Sequence, residues 1–379
     1  MKRIIAAIVL CLILSGISWA DTASPPQLQI AGKSVGFNSE TGFPYIGDNG
    51  RAMMPLRACL SAIGCQVDWN QTEQTASLNK GAVKIEVPVE QKYIYVNQKM
   101  IQTDCAAVLK NGRIYLPLRA VMEAFGYVVE WNNGTKTVVA EQLTAANING
   151  GTTGIFSRRQ LQFEGFNGIE GDVTLPYVTL GEKGDCPYVY FGLDWEDDKG
   201  NAEGGFQFIE DAAHAGYNKW AVFMRQGNSW LNGSNEFLEQ GSKHHLKLYA
   251  DNISENRVEL VIELDGREVV RKLSDRADFN KACTKAVISM AMSKVFDGSN
   301  CSSQAIGAKL QNVKVSTVKT KDYAGFDQYE LYHKWNPLAG SHGMWFGTVD
   351  CISDYVHYKE DGSVSIYKDN GQSTQLNSI

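Results

Sequence analysis

Residues 112–140, GRIYLPLRAVMEAFGYVVEWNNGTKTVVA, read as one compact unit. Pro117 stands where a helix begins, because the N–H it lacks has no intrahelical partner in a first turn. Leu118, Val121, Met122 and Phe125 then share one helical face. Gly126 ends the helix, where a left-handed residue costs least. Residues 128–131 are strand-like, Asn132-Asn133-Gly134 is a turn, and residues 135–139 form a second strand. The unit occurs twice. Residues 50–78, GRAMMPLRACLSAIGCQVDWNQTEQTASL, align with it at a constant offset of 62 and no gap. Pro55-Leu56-Arg57-Ala58 matches Pro117-Leu118-Arg119-Ala120. Gly64 matches Gly126, Trp69-Asn70 matches Trp131-Asn132, and Thr75 matches Thr137.

An internal repeat constrains a fold more strongly than any single motif. Around it, residues 27–30 and 35–37 form a first hairpin, and residues 83–87 and 93–96 are further strands with a tight turn at Asn97-Gln98. Each half is strand, helix, then strands, an α+β domain with a helix packed on antiparallel sheet. Trp69 and Trp131 occupy equivalent strand ends and are expected to pack as a pair. Arg57 and Arg119 are expected to pair with local carboxylates. The pattern G-R-x-x-x-P-L-R-A followed by A-x-G-x-x-V-x-W-N resembles the copper amine oxidase N-terminal-like domain over residues 27–141. That resemblance implies a stalk or attachment module of secreted and surface proteins of Firmicutes-type bacteria, not oxidase activity.

The chain has 379 residues and opens with a secretory signal over residues 1–20. Lys2 and Arg3 precede an apolar run, Ile4 to Leu14, and Ser18-Trp19-Ala20 offers a cleavage point before Asp21. The run is short for a membrane span, and nothing later is longer. Cleavage near Ala20 takes the formal charge from −6 to −8. Residues 21–141 hold 11 basic and 11 acidic side chains, whereas the remainder holds 23 basic and 31 acidic ones. An acidic C-terminal part argues against nucleic acid, whose phosphates need a basic footprint. Seven cysteines remain after cleavage, with no C-x-x-C. An exported protein permits disulfides, but their connectivity stays open, and an odd count leaves at least one thiol free or paired between chains.

Residues 142–153 are small and polar, a linker. From residue 154 to 379 the pattern is all-β. Strands are expected at 172–180, 188–194, 205–209, 220–225, 245–250, 257–264, 268–273, 308–318, 344–349 and 364–367, with a short helix within 275–293. Val258, Leu260, Ile262 and Leu264 alternate with polar neighbours, the period of a half-buried strand. Regular short strands predict a sandwich, and this region resembles a concanavalin-like or jelly-roll fold.

Copper chemistry is not expected. Copper–imidazole sites need converging histidines, and all six histidines lie at 214, 244, 245, 333, 342 and 357. No Asn-Tyr dipeptide occurs, which removes the tyrosine-derived quinone of the oxidases. His244 and His245 are adjacent on a strand and face opposite ways, while His333 and His342 lie in one loop-like stretch. Glycosidases use two facing carboxylates, and only Glu170, Asp172, Glu210 and Asp211 offer a weak pairing. No nucleophile elbow, zinc helix motif or phosphate loop is present, so no catalytic residue is assigned.

The remaining signal is aromatic and acidic. The turn DWEDDKGNAEGG, residues 194–205, carries Asp194, Glu196 and Asp198 beside Trp195. Hard oxygen ligands at this density suit Ca2+ at 194–203, although Lys199 stands where an EF-hand needs glycine. Trp195 and Trp230 neighbour turn residues and are the expected stacking surfaces for a sugar ring. The expected function is a non-enzymatic, exported cell-surface protein, a stalk domain joined to a sandwich that binds a ligand, a glycan or cell-envelope polymer. The alternative is a secreted glycoside hydrolase or lyase.

Overall fold

A computed structural model describes residues 24–81, 83–143, 154–161, 163–197, 199–230, 236–294, 301–320, 322–329 and 355–368. The signal segment 1–20 with its cleavage point, linker residues 144–153, the strand expected at 344–349, His333, His342, Cys351 and Asp198 lie outside the described residues.

The chain is mostly β. In the N-terminal domain, helix is confined to α1 (Leu56–Ser61) and α2 (Arg119–Ala124), six residues each. This is less helix than the α+β expectation implied, because the apolar face runs only about two turns before a glycine stops it. Helices so short are held by packing rather than by propensity. Gly64 and Gly126 do end them in the left-handed region, at φ +70° and +81°. The 62-residue offset is structural: the strands Thr75–Lys80 and Thr137–Gln142 start at equivalent residues, preceded by Gln66–Asn70 and Tyr127–Asn132.

The two repeats meet where Ala52–Pro55 pairs antiparallel with Arg113–Leu116, Met54 opposite Leu116. Repeat one builds a five-stranded meander from Gln66 to Gln102. In repeat two the first strand of the chain, Gln27–Ile30, pairs parallel with Thr137–Gln142 and closes the domain. Met54, Leu56, Cys59 and Leu60 of one repeat and Leu116, Leu118, Val121 and Met122 of the other form one core. The tryptophans are not an equivalent buried pair. Trp69 is half-buried against this core, but Trp131 is 38% exposed. Arg119 lies 4.0 Å from Glu123 one turn on.

The C-terminal region is two sheets packed face to face. One has the order Gly154–Gln160, Cys283–Ala291, Cys186–Asp194, Ala202–Phe208, Trp220–Gln226, Ser229–Trp230, with Phe237–Leu238 also pairing to Trp220–Gln226. The other runs Arg267–Leu273, Arg257–Leu264, Lys243–Ser254, Phe166–Thr174, Gln304–Thr317, Val364–Ile366, Val356–Tyr358. Phe191, Phe206 and Trp220 from the first sheet meet Ile169, Leu248 and Ile262 from the second. The strands expected in the described part of this region are present, Arg257–Leu264 with the expected ends, but the one expected at 172–180 is divided into Phe166–Thr174 and Tyr177–Thr179; in the repeat domain the strand expected at 35–37 is instead Lys33–Ser34. The expected helix within 275–293 is instead a single 3-10 turn, Phe279–Lys281, followed by the strand Cys283–Ala291. That strand lies between two others and nearly all of its residues are buried, so its sequence lacks the alternation that marks a half-exposed strand.

α3 (Phe326–Tyr329) carries the sandwich onto the repeat domain by packing on α2. The six described cysteines, Cys59, Cys65, Cys105, Cys186, Cys283 and Cys301, are buried thiols with no disulfide among them.

Candidate functional site: a polar cleft on the outer face of one sheet

The acidic turn does not assemble as expected. Trp195 is 1% exposed. Its ring meets Phe279 edge to face at 5.0 Å, and its indole N–H donates to the Asp278 carbonyl at 3.1 Å. The Arg276 guanidinium covers the other face at 4.5 Å. The turn folds inward because the 3-10 helix supplies both an apolar partner and an acceptor, so Trp195 is core rather than a stacking rim. Asp197 is tied to Arg276 at 2.7 Å, which lowers its pKa. Glu196 points to solvent and Asp194 faces the sheet surface. Of the described carboxylates of this turn, Asp197 is therefore committed to Arg276 and Asp194 to Lys285. No group of three metal-ligating side chains occurs among the described residues.

Asp194 leads instead to a constellation that the sequence reading missed. Side chains alternate along each strand, and the first sheet turns one row of polar side chains outward. Lys285 sits opposite Gly192, Gly192 opposite Glu203, Glu203 opposite Arg225, and Arg225 opposite Trp230. Gly192 makes the row possible: a Cβ there would stand 2.4 Å from Lys285 Cε. Across that gap Lys285 Nζ reaches Glu203 Oε1 at 3.0 Å and Asp194 Oδ1 at 2.9 Å. Arg225 Nη2 binds Glu203 Oε2 at 3.0 Å. A second row places Arg158 opposite Val287, Val287 opposite Tyr190, and Gly205 between Tyr190 and Phe223.

Lys285, Glu203, Arg225, Arg158, Tyr190 and Phe223 line a cleft of about 330 Å³ with Phe156, Tyr188 and Ser289. Trp230 stands at its mouth, 51% exposed, with its ring 5.6 Å from Phe223 and 6.4 Å from Tyr188. Of the residues expected to bind ligand, Trp230 lines the cleft and Asp194 reaches only Lys285 from outside its lining, while Trp195 and Glu196 do not contribute.

The electrostatics follow from burial. Burial opposes charge on Lys285, but Asp194 and Glu203 outweigh it and raise its pKa. Burial likewise pushes Glu203 up, and Lys285 and Arg225 more than reverse it, holding the carboxylate ionised. Tyr190 is pushed up by burial and by Glu203 and stays neutral. Cys283, beside Gln160 Nε2 at 3.1 Å, is a thiol pushed up to about 12 by burial. One signal for this site was legible: Tyr188, Tyr190, Phe223 and Arg225 occupy alternate positions on their strands.

The other sheet's outer face carries His245, which binds Asp172 at 3.0 Å, while His244 binds Asp265 at 2.8 Å from the opposite face. Glu170 lies near His245, Lys247 and Lys314 on that outer face. It belongs to a solvent-facing ion network and does not pair with Glu210.

The described chain is thus a two-domain protein, a duplicated strand–helix module joined to a β-sandwich with a charged, aromatic-rimmed cleft. Residues 29–140 match the copper amine oxidase N-terminal domain. A Brevibacillus choshinensis protein described as a protease inhibitor is 28% identical over 165 residues, 42% of this chain and 50% of that protein. The chain therefore spans about half the length of that curated relative. Among solved structures, scytalido-glutamic peptidase is 12% identical with a TM-score of 0.35, over 56% of this chain and 98% of that one. A tetrameric galectin from Cinachyrella sp. is 11% identical with a TM-score of 0.27, over 42% and 99%. A Bacteroides ovatus GH16 protein in complex with a G4G4G3G product is 12% identical with a TM-score of 0.24, over 59% and 73%. Scores this low place no constraint on the chemistry of this chain.

Proposed function

We propose that this is an exported bacterial surface protein whose concanavalin-like or jelly-roll sandwich binds a glycan without transforming it, with the N-terminal α+β repeat domain as its stalk. The observation that carries the reading is Trp230, half exposed at the mouth of a polar cleft and flanked by Tyr188 and Phe223. Sugar rings present an apolar face that stacks on such a surface and hydroxyls that pair with buried polar groups. The signal segment 1–20 and the domain match at 29–140 support export and a stalk role. No described helix is long and apolar enough to cross a membrane.

The arrangement of the two carboxylates supports binding rather than hydrolysis. A glycosidase needs one carboxyl protonated as general acid and one free as base or nucleophile. Asp194 and Glu203 share the Lys285 ammonium, and Glu203 is held ionised. No cofactor and no amine oxidation belong to this reading, since residues 21–141 contain no histidine.

Affinity electrophoresis against a panel of polysaccharides tests it. Retardation that Trp230→Ala abolishes, at an almost unchanged melting temperature, is the expected result. Release of reducing ends or unsaturated products from the retained polymer would favour the enzyme reading. Intact mass of secreted protein should correspond to a chain starting near Asp21, and a retained Met1 would refute export by cleavage.

A further inference from the structure

The repeat domain carries an open site of its own, independent of the sandwich and its ligand. A groove of about 450 Å³ lies where the sheet containing Tyr127–Asn132 meets the strand pair Tyr45–Ile46 and Ala52–Pro55. Val129, Trp131 and Val138 line it from the sheet, Leu118 from the start of α2, and Ile46 and Ala52 from the strand pair. Trp131 is 38% exposed and Ile46 is 50% exposed. We propose that this groove takes an extended acidic segment of a partner protein, paired to a free sheet edge and anchored beside Trp131.

The backbone argues for a peptide. Among the described residues, Tyr127–Asn132 ends its sheet, with Thr137–Gln142 as its one strand neighbour, and Tyr45–Ile46 ends its own. Both edge strands contribute to the groove. An edge leaves a row of N–H and C=O groups unpaired, and an added strand is the ligand that satisfies them. The duplication gives a second reason. Arg51, which lines the groove, corresponds to Arg113 at the offset of 62. Arg113 Nε donates to the Glu40 carbonyl at 3.1 Å, and its Nη2 donates to the Ser39 carbonyl at 2.7 Å. At this position of the module, then, an arginine already holds the backbone of a passing chain.

Charge selects the segment. Arg51 is paired with Asp104 at 2.8 Å. Arg119 has only Glu123, at 4.0 Å, and burial pushes that carboxyl up to about 7. Lys136 donates to the neutral Asn133 Oδ1 at 2.7 Å. Glu130 also borders the groove, but Val129 beside it belongs to the core, so alternation turns the Glu130 side chain to the opposite face. Arg119 and Lys136 thus flank an apolar lining without a fully ionised partner. An acidic segment meets both needs, with apolar residues for Trp131 and Ile46 and carboxylates for the two cations.

The test is fluorescence anisotropy of three labelled, capped heptapeptides with the secreted full chain. In the first, glutamate alternates with valine and stands at both ends. In the second, lysine replaces every glutamate. In the third, the central valine of the first becomes proline. The acidic peptide should bind at least about tenfold more tightly than the basic one, since like charges across an interface repel, and should weaken as salt is added. The proline peptide should bind about tenfold more weakly than its parent, because it lacks a backbone donor. Trp131→Ala should cost about tenfold in affinity. Lys136→Glu, at an exposed turn, should remove the acidic preference at an unchanged melting temperature. Equal binding of the acidic and basic peptides overturns the inference, as does a proline peptide that binds like its parent. Binding lost in Trp230→Ala but kept in Trp131→Ala places the peptide in the sandwich cleft and overturns it too. Binding of none of the three overturns it as well, and retardation by polygalacturonate that depends on Trp131 would then give the groove to an acidic saccharide.

Discussion

Replacing Lys285 by methionine would leave Asp194 and Glu203 facing each other across Gly192 with no ammonium between them. Removing one partner of a buried ion pair typically costs about 3–5 kcal/mol, because the remaining charge stays desolvated. Lys285→Met should lower the stability of the sandwich by that order, measured by denaturant unfolding. Full stability in the variant would show that the two carboxylates protonate at little cost and that the row is not a fixed lattice. The tryptophans separate in the same way. Trp195→Ala removes a ring packed between Phe279 and Arg276 and should cost about 3–5 kcal/mol. Trp131→Ala removes one that is 38% exposed and should cost about 1 kcal/mol. A large loss at Trp131 would mean that its strand end is covered in solution. The identity of these positions was legible in the doubled motif, but their burial was not. Sequence equivalence preserves backbone placement, whereas burial depends on which neighbouring element lies over the side chain.

Among the elements, Cys283–Ala291 decides the site, and like Gly154–Gln160 beside it sequence periodicity did not find it. Its pattern, CTKAVISMA, does not alternate apolar with polar, because strands on either side and the side chains around the cleft bury nearly every residue of it. A half-buried strand announces itself by alternation, as Arg257–Leu264 does, and that strand was read with the observed ends. A fully covered one is indistinguishable from a buried helix by periodicity. With Lys285 unplaced, Asp194 and Glu203 read as tips of an acidic turn, although they are the anionic partners of a buried cation. The repeat domain was legible because glycine and proline punctuate both copies. The cleft was not, because its residues come from six strands and meet only through cross-strand register. Gly192 tests that register. Gly192→Val would drive a branched side chain into the Lys285 stem, which two ion pairs hold in place. Overpacking of this kind costs about 1–3 kcal/mol, and saccharide binding should fall with it. Wild-type binding in Gly192→Val would show that Lys285 leaves the row without consequence.

Over the whole molecule the two domains are joined by more than a linker. Gly126, at the end of α2, lies against Phe163 so closely that a Cβ would stand 2.8 Å from the ring. The Leu143 N–H donates to the Gly126 carbonyl at 2.8 Å, and the Leu143 side chain packs against the sandwich core. Lys319 pairs with Glu141 across the same junction. At its centre Glu123 of α2 is buried against Tyr329 of α3, with Arg119 and Asp104 as the nearby charges. Burial pushes the Glu123 carboxyl from 4.5 up to about 7, Asp104 adding to the shift and Arg119 opposing it. The folded protein therefore keeps this proton up to about pH 7, while the unfolded chain releases it near pH 4.5. Between those values the folded state binds more protons, so stability falls as pH rises and levels off above the folded pKa. The full shift corresponds to about 3 kcal/mol. Glu123→Gln keeps the shape of the protonated carboxyl and removes the titration. The stability of wild type relative to Glu123→Gln should decline by up to that amount as pH is raised from about 4.5 to 7, read by denaturant unfolding across the range. Parallel pH profiles for the two proteins would show that Glu123 ionises freely in the folded state, and that α2 and α3 do not seal this junction from water.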